Sequence, residues 1–446
     1  MKTVLLICYA FPPFAADGGG MIAAQTAKYL PRFGWRPIVL TIRDSYHPSW
    51  HRDEALLDDL PKDTRIVRTR TVVIPHRRRA RSRRAGGEHS SQTRRTNLRS
   101  PVAALMSLIR KVGSVLVNPD PYLLWIPFAV YRGARLIRQE RVDAIVASST
   151  PPSTLLVGYL LKLLTGKPLV GEIGDHWATG DHHDWETRLQ RRIQRWQEAA
   201  VVRQADVITT CFDSAAYQEA YPEHRHKFRL MMLGYDRDDL PKPGAQPEPR
   251  ADPDASRFEI MYVGKLGGEQ YPYEPLLDAV AAARIPGLHL TLIGPAIPEV
   301  GESIRRLGLQ DAVSLGGFMG HAAAVRRLRG ADGLLLIIND TRESYDANYS
   351  IKLFEYLAAQ KPILALVPRG GKAAELVERT GSGVVCSPRD RAEIVAGLRA
   401  VRAMRVRRTD AAAAVVRQFD KEIVVGALAR ILDGLVATPA GGPAAQ

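Results

Sequence analysis

At 446 residues the chain exceeds one ordinary core, and its 46% apolar content suffices for two domains of about 200 residues each without disulfide staples. The formal charge of +15 is unevenly placed: fourteen Lys and Arg against the single acid Glu88, from Arg65 to Lys111, leave +13 there. That pattern excludes a generally basic nucleic-acid binder and describes a near-neutral body with one basic insert, about 65–111.

The chain opens on the apolar run "TVLLICYAF", read as a buried first strand rather than a secretory leader, because one lysine is a poor basic region and no small-x-small site follows. A bend with two prolines and Gly18, Gly19 and Gly20 leads into a helix expected at Ala23–Phe33, and "RPIVLTI" is the second strand. "TRIVRTRTVVI" reads as strand, and the Arg/Ser-rich segment beyond it has nothing apolar to bury. Helices are expected at 101–117 and 123–138. Then "VDAIVASS", "STLLVGYLLKLL", "PLVGEIGD", "RLQRRIQRWQEAAVVRQA" and "DVITTC" alternate strand with helix. No stretch reaches the ~18 uninterrupted apolar residues of a membrane span. Cys8, Cys211 and Cys386 are far apart in apolar runs, which suits buried thiols in a reducing compartment.

Residues 239–256, rich in Pro and charge, read as a linker between a domain at 1–238 and another at 257–420. After it, "FEIMYVGKLGG", "LHLTLIGPA", "AVSLGGF", "DGLLLIIND", "KPILALVP" and "SGVVCSP" supply strands with helices between them. A last helix at 421–436, expected to pack back on the first domain, precedes a small-residue tail at 437–446. The pattern predicts an α/β architecture: two doubly wound, Rossmann-like domains, each with a parallel sheet, facing across a cleft.

Ligands in such sheets bind beyond the carboxyl ends of the strands. Gly18–Gly20 sit there, at a helix start that favours an anion such as phosphate. The spacing is not GxGxxG and no acid closes strand two, so a dehydrogenase-type dinucleotide site is disfavoured. Gly264 and Lys265 repeat the theme in the second domain, with Lys265 a point charge for a diphosphate. Asn348, Tyr349 and Ser350 precede another helix start, offering N–H donors. Lys352 and Glu355 share a face three residues apart, either as a surface ion pair or with Glu355 accepting from a ribose diol. The run "LVGEIGDHWATGDHHDW" crowds Glu172, Asp175, His176, Asp181, His182, His183 and Asp184. It fits no zinc signature, so the expectation is that Asp175 and His176 project into the cleft and no metal is held.

"FPPFAADGGG…AKYLPRFGW", "SSTPPST", "EIGDHW", "ADVITTC", "LGYDRDDL", "YVGKLGG", "LTLIGPA", "GGFMGH" and "YSIKLFEYLAAQKPILAL", in this order, resemble the retaining GT-B-fold glycosyltransferases of family 4, in the bacterial branch. The resemblance covers about 1–60 and 118–436. It implies a nucleoside-diphosphate-sugar donor bound mainly to the second domain, its diphosphate at Lys265, Ser350 and the Gly18–Gly20 loop, with no metal cofactor. Glu355 matches the second carboxylate of the family's Glu-x7-Glu motif; the first falls on Ala347, a departure that removes the usual sugar-hydroxyl anchor, with Glu343 and Asp346 as nearby substitutes. Gly174 stands where relatives carry arginine, and Glu269 and Gln270 occupy the stretch of a second basic residue.

The expected reaction is sugar transfer to an acceptor hydroxyl, of a sugar, lipid-linked or small molecule, with retention at the anomeric carbon. Asp175 and His176 would orient the reactants. A sugar-nucleotide epimerase or hydrolase, and a non-catalytic binder of an anionic polymer, stay open beside it. The location expected is cytoplasmic; the basic insert is either a solvated loop or a contact with an anionic membrane surface, and no nucleic-acid partner is expected.

Overall fold

The computed structural model describes residues 1–15, 18–72, 117–180, 187–240, 257–406 and 409–437. Most of the basic insert and the helix expected at 101–117 lie outside them, as do Asp181–Asp184, most of the linker and all but the first residue of the tail.

The first sheet is built from β1 (Lys2–Ile7), β2 (Trp35–Ile42), β3 (Arg65–Thr69), β4 (Ala144–Ser148), β5 (Leu169–Ile173), β6 (Val207–Thr210) and β7 (Phe228–Leu230). All pairings are parallel, in the order β3-β2-β1-β4-β5-β6-β7, with Leu5 in register with Ile38 on one side and Ile145 on the other. The second sheet comprises β8 (Phe258–Val263), β9 (Leu288–Ile293), β10 (Val313–Gly317), β11 (Gly333–Ile337), β12 (Ile363–Leu366) and β13 (Gly383–Cys386). Its order, again all parallel, is β10-β9-β8-β11-β12-β13. Val4–Ile7 and Leu334–Ile337 are buried throughout, as strands covered by helices on both faces must be. Cys8 and Cys386 are buried and Cys211 half-buried, all three free thiols whose burial raises their pKa, Cys8 and Cys211 to about 12.

The first helix runs Gly18–Tyr29, so the glycines form its first turn instead of preceding it. A Cβ on Gly20 would sit 3.1 Å from the Ala10 carbonyl oxygen, beyond the end of β1. Part of the bareness is therefore a packing demand of this protein's own backbone.

Two crossings join the halves. The Tyr235 amide donates to Phe419 O and the Lys421 amide to Tyr235 O, both at 2.9 Å, so the crossings are paired side by side. Arg237 binds Asp420 at 2.7 Å, while Lys28 holds Asp236 and Asp238 at 2.9 and 2.7 Å. The helix Lys421–Ala437 then lies on the first domain, burying Val425, Leu428, Ala429 and Leu432 against Ala23, Ala27, Tyr29 and Leu30.

Candidate functional site

The carboxyl ends of the two sheets face each other across a seam with direct contacts. His51 stacks on Phe318 with centroids 4.4 Å apart and planes 8° from parallel. The His321 amide donates to Asp53 at 2.7 Å, and the Asp213 amide to Ala347 O at 3.4 Å.

On the second-domain side the helix Ile351–Ala359 starts at Ser350, whose φ of 58° is unusual for a residue with a side chain. Such conformations cost on the order of 1–3 kcal/mol and cluster at functional sites. Asn348 Oδ1 accepts the Ser350 amide at 2.9 Å, so that N–H, expected to serve a ligand, is already used. Among the described residues, the amides of Tyr349, Ile351 and Lys352 have no acceptor. They make the donor set of a helix start.

Lys352 leans into the same place. Its Nζ lies 4.6 Å from the Tyr271 ring centroid and 5.3 Å from that of Tyr262, and among the described residues it has no hydrogen-bond or ion-pair partner. Burial lowers its pKa to about 8, with Glu355 opposing. Gly264, at φ 143°, is where this lysine passes: a Cβ there would run into the Lys352 side chain. The glycine at the end of β8 thus gives room to a cation from another element. Lys265, next along, is exposed. The positions of Glu269 and Gln270 are tied down, for Arg342 grips both Glu269 oxygens at 2.9 and 3.0 Å and the Gln270 carbonyl accepts from the Asn339 amide at 3.1 Å.

Glu355 does not form a simple surface pair with Lys352. Burial holds its carboxyl above the usual range, against the charges of His321 and Lys352. His321, at the start of the helix His321–Gly330, places Nε2 2.9 Å from Asp239 Oδ2. Burial alone would depress this imidazole, but the Asp239 hydrogen bond and the charges of Glu355 and Asp59 lift it to about 9. His321 therefore favours the charged imidazolium, its ring on Asp239 and near the charge of Glu355 while its backbone amide holds Asp53, so one residue from each part of the seam meets there. The sequence carried it only inside "GGFMGH", with nothing to mark its charge.

From the first domain, exposed Asp175 follows β5 and accepts from Thr150 Oγ1 at 2.9 Å. Its charge reaches Tyr271 on the opposite side. His176, expected beside it in the cleft, is 7% exposed: its ring stacks on Phe212 at 4.1 Å, inside the domain wall. It turns inward because Trp177 and Ala178 beside it are also buried, the loop being pinned by Glu198, which accepts from the Ala178 and Thr179 amides. Ala347 packs against the first domain's core, so the residue at the expected first carboxylate position is part of the seam. Glu343 and Asp346 are exposed. Among the described residues no group of three His, Cys, Asp or Glu side chains is arranged to hold a metal.

Comparison with known proteins agrees with this geometry. Residues 84–236 match Glycosyltransferase Family 4 and residues 257–403 match Glycosyl transferases group 1. The chain is 25% identical over 288 residues to the alpha-D-kanosaminyltransferase of Streptomyces kanamyceticus, covering 60% of this chain and 68% of that one. Among solved structures it is similar to sucrose-phosphate synthase of Thermosynechococcus elongatus (TM-score 0.66, 16% identity, 98% of this chain and 100% of that one). It is also similar to Anabaena HepE in complex with UDP-glucose (TM-score 0.62, 17% identity, 97% and 100%). Two parallel-sheet halves, each matching a glycosyltransferase domain, identify the chain as a GT-B-fold glycosyltransferase.

Proposed function

We propose that this protein transfers a sugar from a nucleoside diphosphate to an acceptor hydroxyl with retention of anomeric configuration, in the biosynthesis of a polysaccharide, glycolipid or natural product. The observation carrying this reading is the convergence of Lys352, Gly264 and the unclaimed amides of Tyr349, Ile351 and Lys352 at one helix start. An ammonium and three N–H donors in a half-buried site suit a diphosphate, and they stabilise the charge that grows on it as the glycosidic bond breaks. Lys265, Gly18 and Gly19 extend the cradle across the cleft. A metal ion is not needed in this scheme, because the helix start and the lysines take over charge neutralisation.

In the reaction the bond from the anomeric carbon to the diphosphate oxygen breaks and the acceptor oxygen bonds to the same face. The acceptor proton passes to the departing diphosphate. Glu355, near the charge of His321, receives the ribose hydroxyls; Asp175 orients sugar or acceptor from the first domain. A HepE structure holds UDP-glucose, which supports a nucleotide-sugar donor for this chain as well.

The test is a thermal-shift panel of UDP-, GDP-, ADP- and dTDP-sugars, followed by NMR of the product made from the ligand that binds. The reading predicts one stabilising nucleotide class and an unchanged anomeric configuration. An inverted product refutes retention. Turnover of donor faster than any transfer, with no acceptor found, returns the protein to the epimerase or hydrolase reading; no sugar-nucleotide binding at all returns it to the non-catalytic binder, for which Ala347 in place of a carboxylate is the supporting observation.

A further inference from the structure

The helix Arg188–Gln204 carries a surface that the cleft chemistry does not use. Its buried residues, Gln194, Glu198, Val201 and Val202, face the core. Outward it presents Arg188, Arg191, Arg192, Arg195 and Arg203, all exposed. Among the described residues, none of the five guanidinium groups has a hydrogen-bond or ion-pair partner. The helix has a single acid, Glu198, and that carboxylate is fully buried, accepting from Ala178 N, Thr179 N and Tyr221 OH. In contrast, Arg32, Arg36, Arg237 and Arg342 elsewhere in the chain are each paired with an acid.

Two apolar side chains stand among these arginines. Trp196 is 66% exposed and Leu189 is 54% exposed. Seven residues apart, they lie on one line along the helix, with Arg192 and Arg203 beside that line and Arg188 and Arg195 flanking it. The neighbouring helices on the same face, Ser153–Thr165 and Ile126–Gln139, add exposed Leu163, Leu164 and Tyr131, the last with Arg135 against its ring. An exposed indole in a field of unpaired guanidinium groups matches an interface where apolar depth and phosphate charge meet.

We infer that this helix face docks the first domain on an anionic lipid bilayer, with Trp196 and Leu189 entering the headgroup boundary and the arginines meeting lipid phosphates. A bilayer is favoured over a nucleic acid because one protruding indole and several leucines suit insertion, whereas strand binding calls for repeated aromatic platforms. The helix follows β5 and so begins at the cleft end of the sheet, which brings the lipid surface near the acceptor side. Resting on the glycosyltransferase reading, this makes a lipid-anchored hydroxyl the acceptor class.

The experiment is sedimentation of the full-length protein with sucrose-loaded vesicles of phosphatidylcholine alone or with 30% phosphatidylglycerol, at about 0.1 M salt, where charges are screened beyond about 10 Å. The variants are R188Q/R192Q/R195Q and W196A. All four side chains are solvent-facing, so unchanged thermal midpoints establish that both variants fold. Each arginine near an anionic surface contributes about fivefold to partitioning, so the triple variant is expected to lose on the order of a hundredfold. W196A is expected to lose about tenfold on the same vesicles. Both variants keep the basic segment 65–111, so pelleting equal to wild type in both would overturn the assignment to this helix. Equal pelleting with uncharged vesicles would overturn the requirement for anionic lipid, and retention by RNA without vesicle binding would overturn the lipid partner. Sugar-nucleotide binding is read separately by thermal shift: its loss would refute the donor reading and leave the docking result standing.

Discussion

Replacing His321 by glutamine isolates one charge at the seam. Glutamine keeps an N–H donor of similar reach toward Asp239 but has no proton to gain. The imidazole faces Asp239 at 2.9 Å, with Asp236, Asp59 and Lys28 lining the same cavity, Glu355 across from it and Asp53 on its own amide. Raising the imidazole from 6.5 to about 9 corresponds to a preference for the charged form of about 3 kcal/mol in the folded protein. The group binds its proton more tightly folded than unfolded. Its contribution is therefore fully present below pH 6.5 and is lost as pH rises through about 9. Urea denaturation of wild type and H321Q at constant ionic strength, from pH 6 to pH 10, should show a stability gap of about 3 kcal/mol at pH 6 that closes by pH 10. A gap of the same size at both ends would mean that His321 acts by packing or by its neutral hydrogen bond, and the imidazolium argument would fail.

Lys352 sets function against stability. Its pKa is lowered to about 8 because the ammonium is buried without an acceptor, so the charged form costs stability below that pH. Lys352→Met is expected to raise the thermal midpoint at pH 7 while weakening nucleotide-sugar affinity about ten- to a hundredfold, the range of one charge-assisted hydrogen bond; calorimetry checks both. Unchanged affinity would remove Lys352 from the site. Gly264→Ala would push a Cβ into the Lys352 side chain at a φ of 143°, so a loss of about 1–3 kcal/mol in stability and reduced donor binding are expected together. At the crossings, Lys421 Nζ donates to Leu233 O at 2.7 Å from a fully enclosed position. Lys421→Met would leave that carbonyl unpaired, a loss of about 1–3 kcal/mol that removal of an ammonium whose pKa burial lowers to about 8 offsets at pH 7; denaturant titration at pH 10, where the folded wild type carries a neutral lysine, is expected to show the loss, with donor affinity preserved.

Much of the fold was legible because its signals are local. Continuous apolar runs such as Thr3–Ile7 and Gly333–Ile337 mark strands covered on both faces, and the alternation with amphipathic helices implies parallel pairing. The first helix starts at Gly18, five residues before the expected Ala23: three glycines look like a turn, although a helix start packed against Ala10 needs the same bareness. Asp175 reached the cleft end of β5, as its place after a buried strand suggested. His176 did not, because its neighbours Trp177 and Ala178 bury the loop and Glu198 fixes its amides, a constraint from a different helix.

By itself the sequence determined the two parallel sheets and the residues Gly264, Lys352 and Glu355 at the ends of particular elements. Only the tertiary structure decided what those residues do to one another. Lys352 passes over Gly264 from a helix 88 positions later, and His321 gains its charge from Asp239, 82 residues away, and from Glu355. Periodicity is written in the spacing of neighbours along the chain, whereas the field and burial at a site are summed over groups that come together only when the chain has folded.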